Sequence, residues 1–382
     1  MHHNVQENTT RGSSAHSILR RLIGERCIAP RAVGAFCLVT LCTILVAGLW
    51  PFHSPRNEVS WVDGENALLF GKRGTALSRG RLAPRSTDES GCSVEVWLKA
   101  ALTWTRGSVV AFYDPKTGQQ FSVQQDFTDL MLQLVPEKRS GWDSQRPIRV
   151  DDVFRKQQAF IAVTSDGHST AVYIDGRLAT RSVGFRLLGN DLSGQVILAN
   201  SPLRNYGWPG ELKGLAIYRN ELTSAQVAQH YRDWTHGGEP KVDEHEKVLA
   251  VYRFNEGHGN VIHNAIPGGG DLEIPKRLLV VDQLLFESPV AEFHTDRSYA
   301  KDALINVAGF VPLGFILALY FTIRRIRRAN LITIFLGATV STALEYLQSY
   351  LPTRYSGVTD IVTNTLGTCI GVLLCSLAVK FW

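Results

Sequence analysis

The chain has 382 residues, long for one domain, and 45% of them are apolar, an ordinary share for a water-soluble protein. Its 40 lysines and arginines against 35 aspartates and glutamates leave a mildly basic net charge of +5. No basic helix with interleaved aromatics and no zinc-finger spacing accompanies that charge, so nothing points to a nucleic-acid partner. The six cysteines include no C-x-x-C pair, which excludes zinc-ribbon and thioredoxin-like readings. Only Cys92 falls in the long middle region, which must therefore rely on its core and not on a disulfide.

Residues 1–32 form a polar tail carrying Arg11, Arg20, Arg21, Arg26 and Arg31. Val33 to Trp50 (33–50) then runs without a charge, and a helix of that length covers about 27 Å, close to the hydrocarbon thickness of a bilayer. A cleaved signal peptide would have a shorter apolar run followed by small residues. This one ends in Leu49-Trp50-Pro51, so an uncleaved anchor is expected.

From Arg56 to His294 the pattern changes to short alternating stretches such as Val94-Glu95-Val96-Trp97-Leu98, separated by turn signals. Thr170 to Ala179 contains a strand, an Asp175-Gly176 turn and a returning strand, because Asp-Gly tolerates the positive φ of a tight hairpin. Many short strands with regular turns predict an antiparallel β-sandwich. One helix stands out: Thr223 with Gln226 forms a capping box that opens Ser224 to His230. The charged stretch Lys241 to Lys247 marks a boundary. Residues 56–240 are therefore read as the sandwich and 241–299 as a β-rich, membrane-proximal segment, with the alternative that its strands belong to the sandwich.

Residues 300–382 hold three further spans: Ala303 to Ile323, Leu331 to about Tyr350, and Ile361 to Val379. Arg324-Arg325-Ile326-Arg327-Arg328 closes the first of these. By the positive-inside rule it shares the cytoplasmic side with the N-terminal tail. The expected class is thus multidomain α+β: a four-helix transmembrane unit with an extracytoplasmic sandwich inserted after its first span, and both termini cytoplasmic.

Polar residues recur at helical spacing in these spans. Asp302 and Asn306 share one face; Ser341, Glu345 and Gln348 line another; Asp360, Asn364, Gly367, Gly371 and Cys375 form a single stripe. Asn306 and Asn364 lie about 6 Å inward from Asp302 and Asp360, at a depth similar to Glu345, so the polar groups should converge at one level. An ionisable group within a membrane span costs about 2.5–3.5 kcal/mol, so it faces protein or a wet cavity. Arg354 is the natural partner of Glu345, with Asp360 the second candidate. One reading is a polar pocket for a membrane-lipid headgroup or another polar ligand. The other is an interhelical network, in which each contact contributes only about 0.6–2 kcal/mol. Gly367 and Gly371 fit close helix packing, and Pro312 is expected to bend its span.

The C-terminal unit resembles the VanZ-like family, through Asp302 to Gly314 (DALINVAGFVPLG), Glu345-Tyr-Leu-Gln348, Leu351-Pro-Thr-Arg354, Asp360 and Asn364-Thr-Leu-Gly367. That resemblance implies a bacterial cytoplasmic-membrane protein with a role in envelope properties or glycopeptide tolerance. It makes Val33 to Trp50 the first span and residues 51–302 an unusually long insertion. The insertion resembles laminin G-like, concanavalin A-like jelly rolls through Gly210 to Tyr218 (GELKGLAIY), Leu222-Thr223 and Tyr173-Ile174-Asp175-Gly176. A glycan or protein ligand is implied outside.

Within the sandwich Tyr206 is a candidate for stacking on a sugar ring, while Trp208 reads as core. Asp166 and Asp175 are conceivable calcium ligands, though each precedes a turn glycine where Asp is favoured anyway. His258 and His263 lack helical ligand spacing. No H-E-x-x-H, G-x-S-x-G, P-loop or G-x-G-x-x-G motif occurs, so no cofactor is expected and the chain leans away from the common enzyme classes. The enzyme alternative makes Glu345 and Asp360 an acid/base pair acting on a lipid headgroup. A transport role is disfavoured by the apolar inner halves of the spans, such as Phe315 to Phe321. The third alternative is a purely structural scaffold. Oligomeric state is not encoded in any of these features.

Overall fold

In a computed structural model, residues 30–84, 91–135, 145–237, 246–286, 297–354 and 356–381 are described. The basic tail before Pro30 and most of the charged boundary, 241–245, lie outside them. The chain divides into a helical unit (1–53 and 284–382) and a β unit (54–283).

The helical unit comprises α1 (Pro30–Leu49), α3 (Arg297–Ile323), α4 (Ala329–Gln348) and α5 (Val358–Phe381); α2 belongs to the β unit. These four helices are long and apolar enough to cross a membrane. Phe36, Leu38, Phe335 and Leu373 stand exposed on their flanks, as lipid-facing residues must. Sequence reading placed each span within three residues of these ends, except that α3 starts six residues before Ala303. Helix α3 continues without interruption through Pro312.

α3 and α5 meet backbone to backbone. A Cβ at Gly371 would lie 2.2 Å from the Val311 carbonyl, one at Gly367 the same distance from Val307, and one at Gly314 the same distance from Thr368. Without side chains there, the two helices gain van der Waals contact that larger residues would forbid. α1 packs against α3 and α4.

The β unit is a sandwich of two antiparallel eight-stranded sheets. The first runs β1 (Val59–Trp61), β2 (Leu68–Phe70), β13 (Gly210–Tyr218), β4 (Cys92–Ala100), β9 (Gln158–Ser165), β10 (Thr170–Ile174), β11 (Arg177–Ser182), with β14 (Val248–Tyr252) also on β13. The second runs β15 (Val261–Ile262), β16 (Leu272–Glu273), β3 (Ala76–Arg81), β12 (Gln195–Leu198), β5 (Arg106–Asp114), β6 (Gln119–Asp126), β7 (Asp129–Val135), β8 (Ile148–Val150).

Inward residues of both sheets, among them Val94, Val96, Phe112, Phe121 and Leu212, join Trp208 in one core. The Asp175-Gly176 hairpin forms as its sequence demands, with φ of 50° and 76°. Residues 248–273 resolve the open alternative. β14 extends the first sheet beside β13, and β16 pairs with β3 in the second, so this stretch is part of the sandwich. Its apolar residues Tyr252, Phe254, Ile262 and Leu272 are buried in the common core, which is the physical reason a separate segment does not form.

Replacing Gly371 by Leu is expected to force α3 and α5 apart and cost about 2 kcal/mol or more. Gly309→Ala, whose added Cβ meets nothing within 4 Å, should leave stability unchanged. Thermal unfolding of the full chain in detergent compares the two.

Candidate functional site

One end of the helical unit gathers the polar residues, where α3 begins, α4 ends and α5 begins. The Asn306 side-chain amide donates to Asp360 Oδ1 at 2.8 Å, tying α3 to α5. One turn along α5, Asn364 Nδ2 donates to Ser341 Oγ of α4 at 3.0 Å. One turn further along α4, Glu345 Oε2 accepts the Gly357 backbone N–H at 3.0 Å, just before α5. Ser341, Glu345 and Asn364 are 0%, 1% and 2% exposed. The Asn364 Oδ1 atom is buried and has no hydrogen-bond partner among the described residues.

Gln348 and Arg354 point to a different target. The last carbonyls of α1 have no intrahelical partners, as at every helix end. Gln348 Nε2 donates to Gly48 O at 2.9 Å, and the Arg354 guanidinium donates to Trp50 O at 2.8 Å and Ala47 O at 3.4 Å. A cation at the C-terminal end of a helix also meets its partial negative charge favourably. These two bonds of Arg354 serve the end of α1. Asp302 stands exposed one turn before Asn306, outside the bonded set.

In the sandwich Tyr206 is half-buried before β13, and its backbone carbonyl accepts the Ser108 N–H. Trp208 is fully buried and donates to Gln125. Asp166 accepts the N–H groups of His168 and Ser169, and Asp175 accepts that of Phe160, so both carboxylates hold turns. Among the described residues no group of three or more His, Cys, Asp or Glu could hold a metal. His263 Nδ1 lies 3.1 Å from Asp271, on the surface.

Sequence reasoning missed a second buried polar cluster. Helix α2 (Ser224–Arg232), opened by the expected Thr223/Gln226 box, lies over the outer face of the first sheet. From it His230 reaches Glu95 of β4 with Nδ1 (2.8 Å) and Glu246 with Nε2 (3.2 Å). Tyr218 and Trp234 donate to the other Glu95 oxygen at 3.0 and 3.3 Å. All three ionisable groups of the triad are at most 3% exposed.

Burial disfavours a charged imidazole here, but the bond to Glu95 and the charges of Glu95 and Glu246 outweigh it, so His230 titrates above the ordinary histidine range. The groups satisfy one another and anchor α2 to the sheet.

Residues 271–379 match the family model described as VanZ/LLP1. Residues 75–228 match that of the concanavalin A-like lectin/glucanases superfamily. The chain thus joins a VanZ-like helical segment to a concanavalin A-like sandwich in one membrane protein. No curated protein matches it.

Among solved structures, a carbohydrate-binding protein described as putative, from Bacteroides ovatus, is 11% identical with a TM-score of 0.35, over 60% of this chain and 63% of that one. The match spans less than two thirds of that protein's length. The CBM40 of the Ruminococcus gnavus IT-sialidase, bound to α2,3-sialyllactose, is 13% identical with a TM-score of 0.31, over 40% of this chain and 91% of that one.

Because its folded-state pKa is raised, His230 stabilises the sandwich fully below its unfolded value near 6.5, and that contribution disappears as pH rises through the folded value. Urea unfolding of the full chain should accordingly give a lower midpoint at about pH 9 than at about pH 6. His230→Leu, which leaves two buried carboxylates without their cation, should cost about 3–5 kcal/mol at the lower pH and flatten this dependence.

Proposed function

We propose that the chain is a membrane-anchored recognition protein of a bacterial envelope. The sandwich binds a glycan outside the cytoplasmic membrane, and the VanZ-like helices hold the polar headgroup of an envelope lipid in the outer leaflet. Both termini lie in the cytoplasm, since Arg324 to Arg328 form a basic loop at the end of the bundle opposite the polar level.

One observation carries the lipid reading: the buried, unpartnered Oδ1 of Asn364, set among Ser341, Glu345, Asn306 and Asp360. A network that only joined helices would be expected to satisfy its own amide, since an orphaned buried acceptor costs about 1–3 kcal/mol. A ligand donor at that atom removes the cost. The set is rich in acceptors, two carboxylates and an amide oxygen, which favours a headgroup bearing hydroxyl or amino groups. The superfamily matched by the sandwich, described by its lectins and glucanases, supports a carbohydrate as the second ligand.

Native mass spectrometry of the full chain with phosphatidylethanolamine, phosphatidylglycerol and undecaprenyl phosphate tests the headgroup site. Asn364→Leu is expected to lower retention of the preferred lipid by about tenfold, and Glu345→Gln to weaken it in part. Retention equal to the unmodified chain in both variants would leave the polar level as interhelical bonding alone.

A further inference from the structure

An exposed aromatic pair at one end of the sandwich has no part in the core. Trp104, in the loop between β4 and β5, is 74% exposed; Phe127, at the turn between β6 and β7, is 38% exposed. Their ring centroids are 5.5 Å apart, inclined at 51°, and the Arg106 guanidinium lies 4.4 Å over the Phe127 ring.

The two loops are held in place from below. Gln125, fully buried, donates through one amide nitrogen to the carbonyls of Leu102 and Phe127, both at 2.8 Å. Its oxygen accepts the indole N–H of the core residue Trp208 at 2.7 Å. The Phe127 N–H adds a bond to Thr105 O at 2.9 Å. Each loop is thus tied to the same buried amide, and the rings are presented on a fixed base.

Phe127 occupies its turn at a cost. Asp126 and Asp129 pair across a two-residue hairpin, and Phe127 takes φ of 57°, where glycine or asparagine is favoured. Its ring is partly covered by Trp104 and by the Arg106 guanidinium, and 38% of the residue stays open to solvent.

The rim of the patch is charged but balanced. Arg106 Nε lies 2.7 Å from Asp126, Arg149 bonds the other Asp126 oxygen, and Arg149 also meets Asp129 at 3.0 Å. Two cations and two anions cancel. An anionic lipid surface or a nucleic acid would select an excess of positive charge, which is absent from this set. A sugar ring needs what is present: a flat aromatic surface for its C–H face, and half-exposed planar guanidinium groups for its hydroxyls.

We propose that Trp104, Phe127 and Arg106 form the binding platform for a neutral oligosaccharide, whose pyranose ring stacks on Trp104 and whose hydroxyls meet the half-exposed guanidinium groups of Arg106 and Arg149. This deepens the glycan half of the proposed function and rests on it. It also moves the contact away from Tyr206, whose backbone and half-burial serve the β13 approach.

The test is calorimetric titration of the full chain in lipid nanodiscs with chitohexaose, cellohexaose and mannohexaose. At least one should bind the unmodified chain, and Trp104→Ala should weaken it by about tenfold or more, as for a central aromatic contact. Phe127→Gly should weaken it too while relaxing the turn, and the melting temperature of Trp104→Ala should stay unchanged because the side chain is outside the core. Undiminished binding in both variants overturns the platform and leaves glycan recognition standing elsewhere on the sandwich. Binding of none of the three by the unmodified chain overturns both. Loss of liposome binding by Trp104→Ala, with oligosaccharide binding intact, would also refute the platform.

Discussion

Hydrocarbon offers no water to a polar group, and the helical unit is organised by that constraint. Each polar side chain that α3, α4 and α5 carry toward one another must find its partner among the helices or on something bound between them. Asn306 meets Asp360, Asn364 meets Ser341, and Glu345 takes the N–H of Gly357 before α5 has begun its own ladder. Such short bonds require helix axes that approach closely. Gly314, Gly367 and Gly371 make that approach between α3 and α5 by presenting bare backbone. The same requirement extends to α1, whose terminal carbonyls are taken by Gln348 and Arg354. One span distant in sequence is thereby secured to the other three through its end.

Against that background the free oxygen of Asn364 is informative. Its neighbours are bonded, its amide nitrogen is bonded, and it is sequestered as fully as they are. One buried cluster of the sandwich is closed on itself. Glu95, His230 and Glu246 bring three ionisable groups under α2, and every one of them is matched by another. Their closure marks that cluster as an anchor, whereas the open acceptor in the bundle underlies the proposed headgroup site.

Much of this architecture was legible from residue patterns alone. Uninterrupted apolar length gave the spans, because it follows from fixed helical geometry. Spacing suggested one level for Asn306, Glu345 and Asn364; Asn306 bonds Asp360, while Asn364 bonds Ser341 one turn further along α5. The Asp175-Gly176 hairpin and the Thr223/Gln226 cap are local devices and formed as written. What escaped notice was long-range. Glu95 alternates with Val94 and Val96, so strand periodicity assigns it to the face away from the core, and that face reads as solvent until α2 is known to cover it. Glu246 lay inside a charged stretch that looked like a linker. Only folding places it 3.2 Å from His230. Arg354 shows another long-range effect: its guanidinium bonds carbonyls at the end of α1, and sequence does not show which helix end lies near.

Trp104 and Phe127 escaped for yet another reason. Neither sits in a motif, and a tryptophan beside strands is by default assigned to the core, where Trp208 is indeed found. Yet a local signal existed in the hairpin itself. Asp126-Phe127-Thr128-Asp129 closes with two residues, where the geometry rewards asparagine or glycine, and it holds an aromatic instead. Its ring is only partly covered, by Trp104 and the Arg106 guanidinium, and 38% of the residue stays open to solvent. The buried Gln125 then binds both loop carbonyls, lending rigidity to a surface that packing alone would leave loose. Strain at Phe127 and the support beneath it are intelligible together if the rings must be held ready for a partner. An orphaned buried acceptor and a half-open aromatic in a strained turn are the same kind of sign: a local cost that a bound partner would offset.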